Sequence, residues 1–153
     1  MKYLLWAGII VITFIVQGTV SLFYVTPNFT AVLAYYAGVK KREIKGMCIG
    51  SLIGTVEDSL SGAFLGPNLL SKGIVGYLSS FISHRIFIWT PLLGVISISA
   101  VTLTDGLIVF LSRSIFDKTP MSISNAAFII FIQCLMNAVF GAFIKPKDGE
   151  VNS

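Results

Sequence analysis

Six apolar runs make up most of the chain, over residues 4–24, 29–39, 47–60, 69–82, 86–111 and 123–144. A helix crossing hydrocarbon needs roughly 20 apolar residues, fewer where neighbouring protein shields its ends. The first run meets this comfortably and the last two are long enough, whereas 29–39 is marginal and the two central runs are short. Between the runs lie Pro27 with Asn28, the basic cluster from Lys40 to Lys45, the helix stop Ser61-Gly62 with the loop AFLGP, the pair His84-Arg85, and a polar loop over 113–120. Asn68 is placed to N-cap a helix over 69–82, and Trp89 to anchor the fifth run at an interface.

The composition turns these runs into a membrane prediction. Of 153 residues 55% are hydrophobic and only 12% charged, with mean hydropathy +0.87, against about 25% charged in an ordinary globular domain. The expected fold is an all-α membrane protein, a single bundle of about six transmembrane helices over 1–144, with a short polar tail over 145–153. No appended catalytic domain is expected. The start, MKYLLWAGIIVITFIVQG, has the Lys and apolar run of a signal peptide but continues to Tyr24 without an A-x-A-like site, so it is expected to persist as the first span.

The net charge of +4 is distributed between the runs rather than along a basic surface, which argues against a nucleic-acid partner. With the N-terminus in the cytoplasm, eight cations (Lys2, Lys40, Lys41, Arg42, Lys45, Arg85, Lys145, Lys147) face inward and three (Lys72, Arg113, Lys118) outward. That distribution predicts cytoplasmic termini on both sides of a six-span chain. A four-span chain with a re-entrant short helix is the alternative on length. Cys48 and Cys134 sit in apolar surroundings without ligand spacing, so neither a disulfide, a metal nor another cofactor is expected.

Gly46, Gly50 and Gly54 recur every four residues, and Asp58, Gly62 and Gly66 continue the interval. Four residues turn a helix about 400°, so these positions stack into a groove without side chains. Such a face lets two backbones approach closely in lipid, either inside the bundle or in a dimer or partner groove. Asp58, on the next step, is expected to point into protein, roughly 18 Å along the helix from Gly46 and toward the outer side. Lys72 and Asp105 reach the same depth, which predicts an outer-side charge cluster of Glu57, Asp58, Lys72 and Asp105. These groups either end their helices in headgroup water or form a buried ion pair, Lys72 with Glu57 or Asp58. Ser59 and Ser61 have no base on the same turn, so no enzymatic role is expected. His84 is expected in a solvated turn, and Gln17, Gln133 and Asn137 to hydrogen-bond between helices or line a pocket.

The segment KGMCIGSLIGTVEDSLSGAFLGPNLLSKGIVGYLSSF, residues 45–81, resembles the core of the MreD family of bacterial rod shape-determining proteins. The matching positions are Gly50, Gly54, Asp58, Ser61, Gly62, Leu65, Gly66, Gly76 and Tyr77. The resemblance implies a non-enzymatic scaffold of the cell-wall elongation machinery in the inner membrane, acting with MreC near MreB, RodA and its transpeptidase partner, with a homo-oligomer possible. Glu57, beside the family's single acid, and Phe64 in the turn depart from the pattern. The family is similar in fold to the substrate-binding subunits of energy-coupling-factor transporters, which makes a vitamin-type binding subunit the alternative. Such a subunit needs convergent polar groups, for which Gln17, Glu57, Asp58, Asp105 and Asn137 are available. With Asn137 near the cytoplasmic end of its span, they are expected to lie too far apart, and the scaffold is preferred.

Overall fold

The computed structural model describes residues 2–21, 24–62, 65–85, 90–117 and 121–145. Within them the chain forms six helices and no strand: α1 (Lys2–Thr19), α2 (Phe29–Lys40), α3 (Glu43–Ser61), α4 (Pro67–Arg85), α5 (Pro91–Phe116) and α6 (Ile123–Gly141). The expectations for Trp89, Phe64 and Lys118, for the side chains of His84 and Arg85, and for the tail beyond Lys145 fall outside what is described.

Among the described residues two helices, α5 and α6, are long and apolar enough to cross a membrane. Their apolar side chains are largely not consumed by the bundle: Leu92 is 69% exposed and Phe131 61%. A core helix of a water-soluble domain would hide them, since contiguous apolar surface is rare on soluble monomers.

The shortest helix lies at the centre. Eight of the twelve residues of α2 are buried, from Thr30 to Val39. Leu33, Ala34, Tyr35 and Val39 build the core with Ile53 of α3, Val75 of α4 and Ile98 and Val101 of α5. A run that is marginal as a lipid-exposed span is thus enclosed by other helices. Asn28 starts α2, its side chain accepting from the Ala31 amide at 3.0 Å.

Several boundaries differ from the sequence expectation for local reasons. Helix α5 begins at Pro91 rather than residue 86, because Thr90 caps it by accepting from Leu93 N at 3.2 Å and proline suits the first turn. It runs on through Arg113, expected in a loop, to Phe116. Helix α3 starts at Glu43, an acid favoured in a first turn, and stops where Gly62 takes φ 61°, as Ser61-Gly62 predicts. Helix α4 extends to Arg85.

Candidate functional site

The glycine ladder is filled from within the chain. A Cβ on Gly46 would lie 2.7 Å from the Gly76 carbonyl oxygen. One on Gly50 would strike the Lys72 carbonyl, and one on Gly54 that of Asn68. Steps of four up α3 therefore meet steps of four down α4, an antiparallel register in which backbones touch where side chains are absent. Gly38 of α2 closes on Gly76 from the other side. Gly62 and Gly66 do not extend this groove: both have positive φ, 61° and 146°, and turn the chain between α3 and α4.

At the next step of the ladder, Asp58 meets the start of α4. Its carboxylate accepts from the backbone amides of Gly66 (2.9 Å), Asn68 (3.1 Å) and Leu69 (3.0 Å) and from Asn68 Nδ2 (2.9 Å). Asp58 is 1% exposed. An anion at a helix N-terminus satisfies otherwise orphaned amides and complements the helix dipole. This corrects the expectation that Asn68 caps α4, since Asn68 lies within the first turn, and of the two partners expected for Lys72 it leaves Glu57 rather than Asp58. Asp58→Ala is expected to cost about 1–2 kcal/mol, as for lost caps, and Asp58→Asn less, since one acceptor oxygen remains. Hydrogen exchange at Asn68 and Leu69 should accelerate in Asp58→Ala with α5 unchanged; uniform acceleration would show global loosening instead.

Lys72 pairs with Glu57 and with Asp105, each at 3.1 Å, and donates to Asn68 Oδ1 at 2.9 Å. Lys72 and Asp105 are fully enclosed and Glu57 is 17% exposed. Asp105 also accepts from Asn28 Nδ2 at 2.5 Å and from the Ser71 hydroxyl. Glu57 accepts from Thr30 Oγ1 at 2.7 Å, and the Thr30 amide donates to Gln17 Oε1 at 3.3 Å. Charges removed from water in this way need partners and filled lone pairs, and here each has several.

The cluster gathers residues from the end of the bundle where α1, α3 and α5 finish and α2, α4 and α6 start. Up-and-down connectivity brings those termini together, so Gln17, Asn28, Glu57, Asn68 and Asp105 meet although up to 88 positions separate them. Asn137 joins the same network, donating to the Asn28 carbonyl at 3.2 Å and to Thr102 Oγ1 at 3.1 Å. That corrects the expected separation of Asn137 from the other polar groups. Because α2 is short, its first residues are sunk into the bundle and reach the level of Asn137. Gln133 donates to the Thr26 carbonyl at 3.1 Å.

A cavity of about 600 Å³ opens beside the cluster. Glu57, Lys72 and Asp105 contribute to its floor, Val109, Phe110 and Ile130 to its apolar wall, and Arg113 and Asp117 lie further along α5. Sequence reasoning singled out Glu57, Asp58, Lys72 and Asp105 but missed Asn28, Thr30, Ser71 and the site role of Arg113. The dipeptides Pro27-Asn28 and Pro67-Asn68, each at a helix start, were the available signal for two of the cluster's asparagines.

The cluster is a hydrogen-bonded lock built on one ammonium shared by two carboxylates. The Ser59 and Ser61 hydroxyls donate back to the carbonyls of Thr55 (2.8 Å) and Asp58 (2.9 Å). Ser71 Oγ is engaged with Asp105, whose carboxylate is already held by Lys72 and Asn28. Among the described residues no three His, Cys, Asp or Glu side chains are grouped to hold a metal ion. No family model, no curated protein and no solved structure matches the chain.

Proposed function

We propose that this chain is a non-enzymatic membrane scaffold of the MreD type, acting in bacterial cell-wall elongation with an MreC-like partner and, through it, with MreB, RodA and its transpeptidase. In this reading all six helices thread the inner membrane, both termini are cytoplasmic, and the turn between α3 and α4 faces outward. The supporting observation is that six of the nine residues bearing the resemblance cooperate in one interlocked hairpin. Gly50 and Gly54 admit the α4 backbone, Asp58 caps α4, Gly62 and Gly66 make the turn, and Gly76 closes on Gly46. A pattern used this way builds a rigid element in the membrane and leaves the apolar outer faces for lipid and partners.

The test is co-purification from mild detergent. An MreC-like coiled-coil protein is the expected partner, and loss of the chain is expected to round the cells. Recovery of transporter ATPases without such a protein, from cells that stay rod-shaped, would overturn the scaffold role. The orientation predicts that Ser153→Cys resists a membrane-impermeant thiol reagent in intact cells and reacts after permeabilisation, with endogenous Cys48 and Cys134 replaced by serine. Labelling before permeabilisation would exclude the arrangement with both termini cytoplasmic.

A second reading, a small-molecule binding subunit of an energy-coupling-factor transporter, is favoured by the cavity. Its volume of about 600 Å³ falls within the range of ligand sites, and Gln17, Glu57 and Asp105 line it together rather than standing apart.

A further inference from the structure

The cavity has two electrically different poles. On its floor the carboxylates of Glu57 and Asp105 share one ammonium, Lys72, at 3.1 Å each. With all three ionised, the floor carries one negative charge in excess. The other pole is Arg113, eight residues beyond Asp105 on α5 and so roughly 12 Å along the helix between Cα positions, a gap that its long side chain shortens because helical side chains lean toward the N-terminus. The Nε of Arg113 is buried and has no hydrogen-bond partner among the described residues. Asp117 lines the same cavity four residues on, but the two form no salt bridge; among the described residues the salt bridges are those of Lys72. Between the poles Val109, Phe110, Ile129 and Ile130 supply apolar wall.

A guanidinium with a buried, unused donor is suited to a carboxylate or phosphate, which it binds through its planar fork. A simple anion reaching the floor would meet the excess negative charge there, and a simple cation at the other pole would meet Arg113. A ligand that spans both poles is therefore complementary when it carries both signs, in order.

We propose that this cavity binds a zwitterionic small molecule or headgroup, its oxyanion on Arg113 and its ammonium directed toward Glu57, with the apolar wall of α5 and α6 against its carbon frame. An aminophospholipid headgroup and a free amino-phosphate share this chemistry. The proposal does not rest on the scaffold role; it supplies an occupant for the cavity of the second reading.

The test uses the full chain purified in detergent, with calorimetric titration of four probes: phosphoethanolamine, glycerol 3-phosphate, short-chain phosphatidylethanolamine and short-chain phosphatidylglycerol. Each zwitterionic probe is compared with the anionic counterpart lacking its ammonium. At least one zwitterionic member is expected to bind ten-fold or more tighter than its counterpart. Preference for the lipid alone identifies a headgroup site, and preference for phosphoethanolamine a soluble ligand. Arg113→Gln is expected to weaken that binding at least ten-fold. Val109→Trp, which fills the cavity from its apolar wall, should abolish it while the protein stays monodisperse. The proposal is overturned if no probe binds at millimolar concentration, if the anionic probes bind as well as their counterparts, or if both variants bind like the parent. Partner co-purification is not a readout here, so failure of this site and failure of the scaffold role are distinguishable.

Discussion

Lys72→Met is expected to be among the most damaging substitutions in this chain, costing about 3–5 kcal/mol, the range for breaking a buried ion pair from one side. The lysine is 1% exposed and serves two carboxylates, one of them, Asp105, 0% exposed. Without it Asp105 is left enclosed and uncompensated, repelled by the neighbouring Glu57. Thermal unfolding and monodispersity in detergent would record the loss. Asp105→Asn in the Lys72→Met background should recover part of it, since a neutral amide no longer needs the ammonium. Asp58→Asn should recover little, because Asp58 is held by the α4 amides and touches Lys72 only through Asn68. A double-mutant cycle separates the cases. Strict additivity of Lys72→Met with Asp105→Asn would mean that the pair contributes no coupling to stability.

Gly50→Leu is expected to force α3 and α4 apart. Its Cβ would clash with the Lys72 carbonyl oxygen, and backbone cannot swing aside as a side chain can. Overpacking alone costs about 1–3 kcal/mol, and displacing the Lys72 backbone also disturbs its ion pairs. Yield and melting temperature should fall sharply, in Gly54→Leu as well, where the obstacle is the Asn68 carbonyl. Val11→Leu is the control: Val11 is 56% exposed on α1, and such surface changes stay within about 0.5 kcal/mol. Gly62→Leu should fall between them, because open space surrounds its Cβ position and the cost is confined to φ 61°. Equal losses at Gly50 and Val11 would show that the ladder is not a close-packed face.

How legible the site was depended on distance along the chain. The four-residue interval of Gly46, Gly50 and Gly54 maps onto one helix face because helical geometry is local, and that face is the one packed on α4. The shared level of Glu57, Lys72 and Asp105 was legible for the same reason, since rise per residue converts position into depth. The choice between Glu57 and Asp58 as partner of Lys72 was not. Adjacent residues differ by about 100° around the helix, and the outcome depends on what each direction meets. Asp58 follows the ladder onto the amides of Gly66, Asn68 and Leu69, while Glu57 turns toward Thr30 and Lys72.

By itself the sequence determined an all-helical chain with apolar runs, a glycine-faced third helix ending at Ser61-Gly62, and a few ionisable residues at one level; periodicity, rise and capping act within a few residues and can be counted along a string. Tertiary structure alone decided that the twelve-residue α2 is central, that its sunken start brings Asn28 to Asp105 and Asn137, and that Arg113 lines a cavity with Lys72. Those relations link residues as far apart as Asn28 and Asn137, 109 positions in the chain. They are set by how whole helices rotate and slide to fill space together, a condition no local pattern of residues contains.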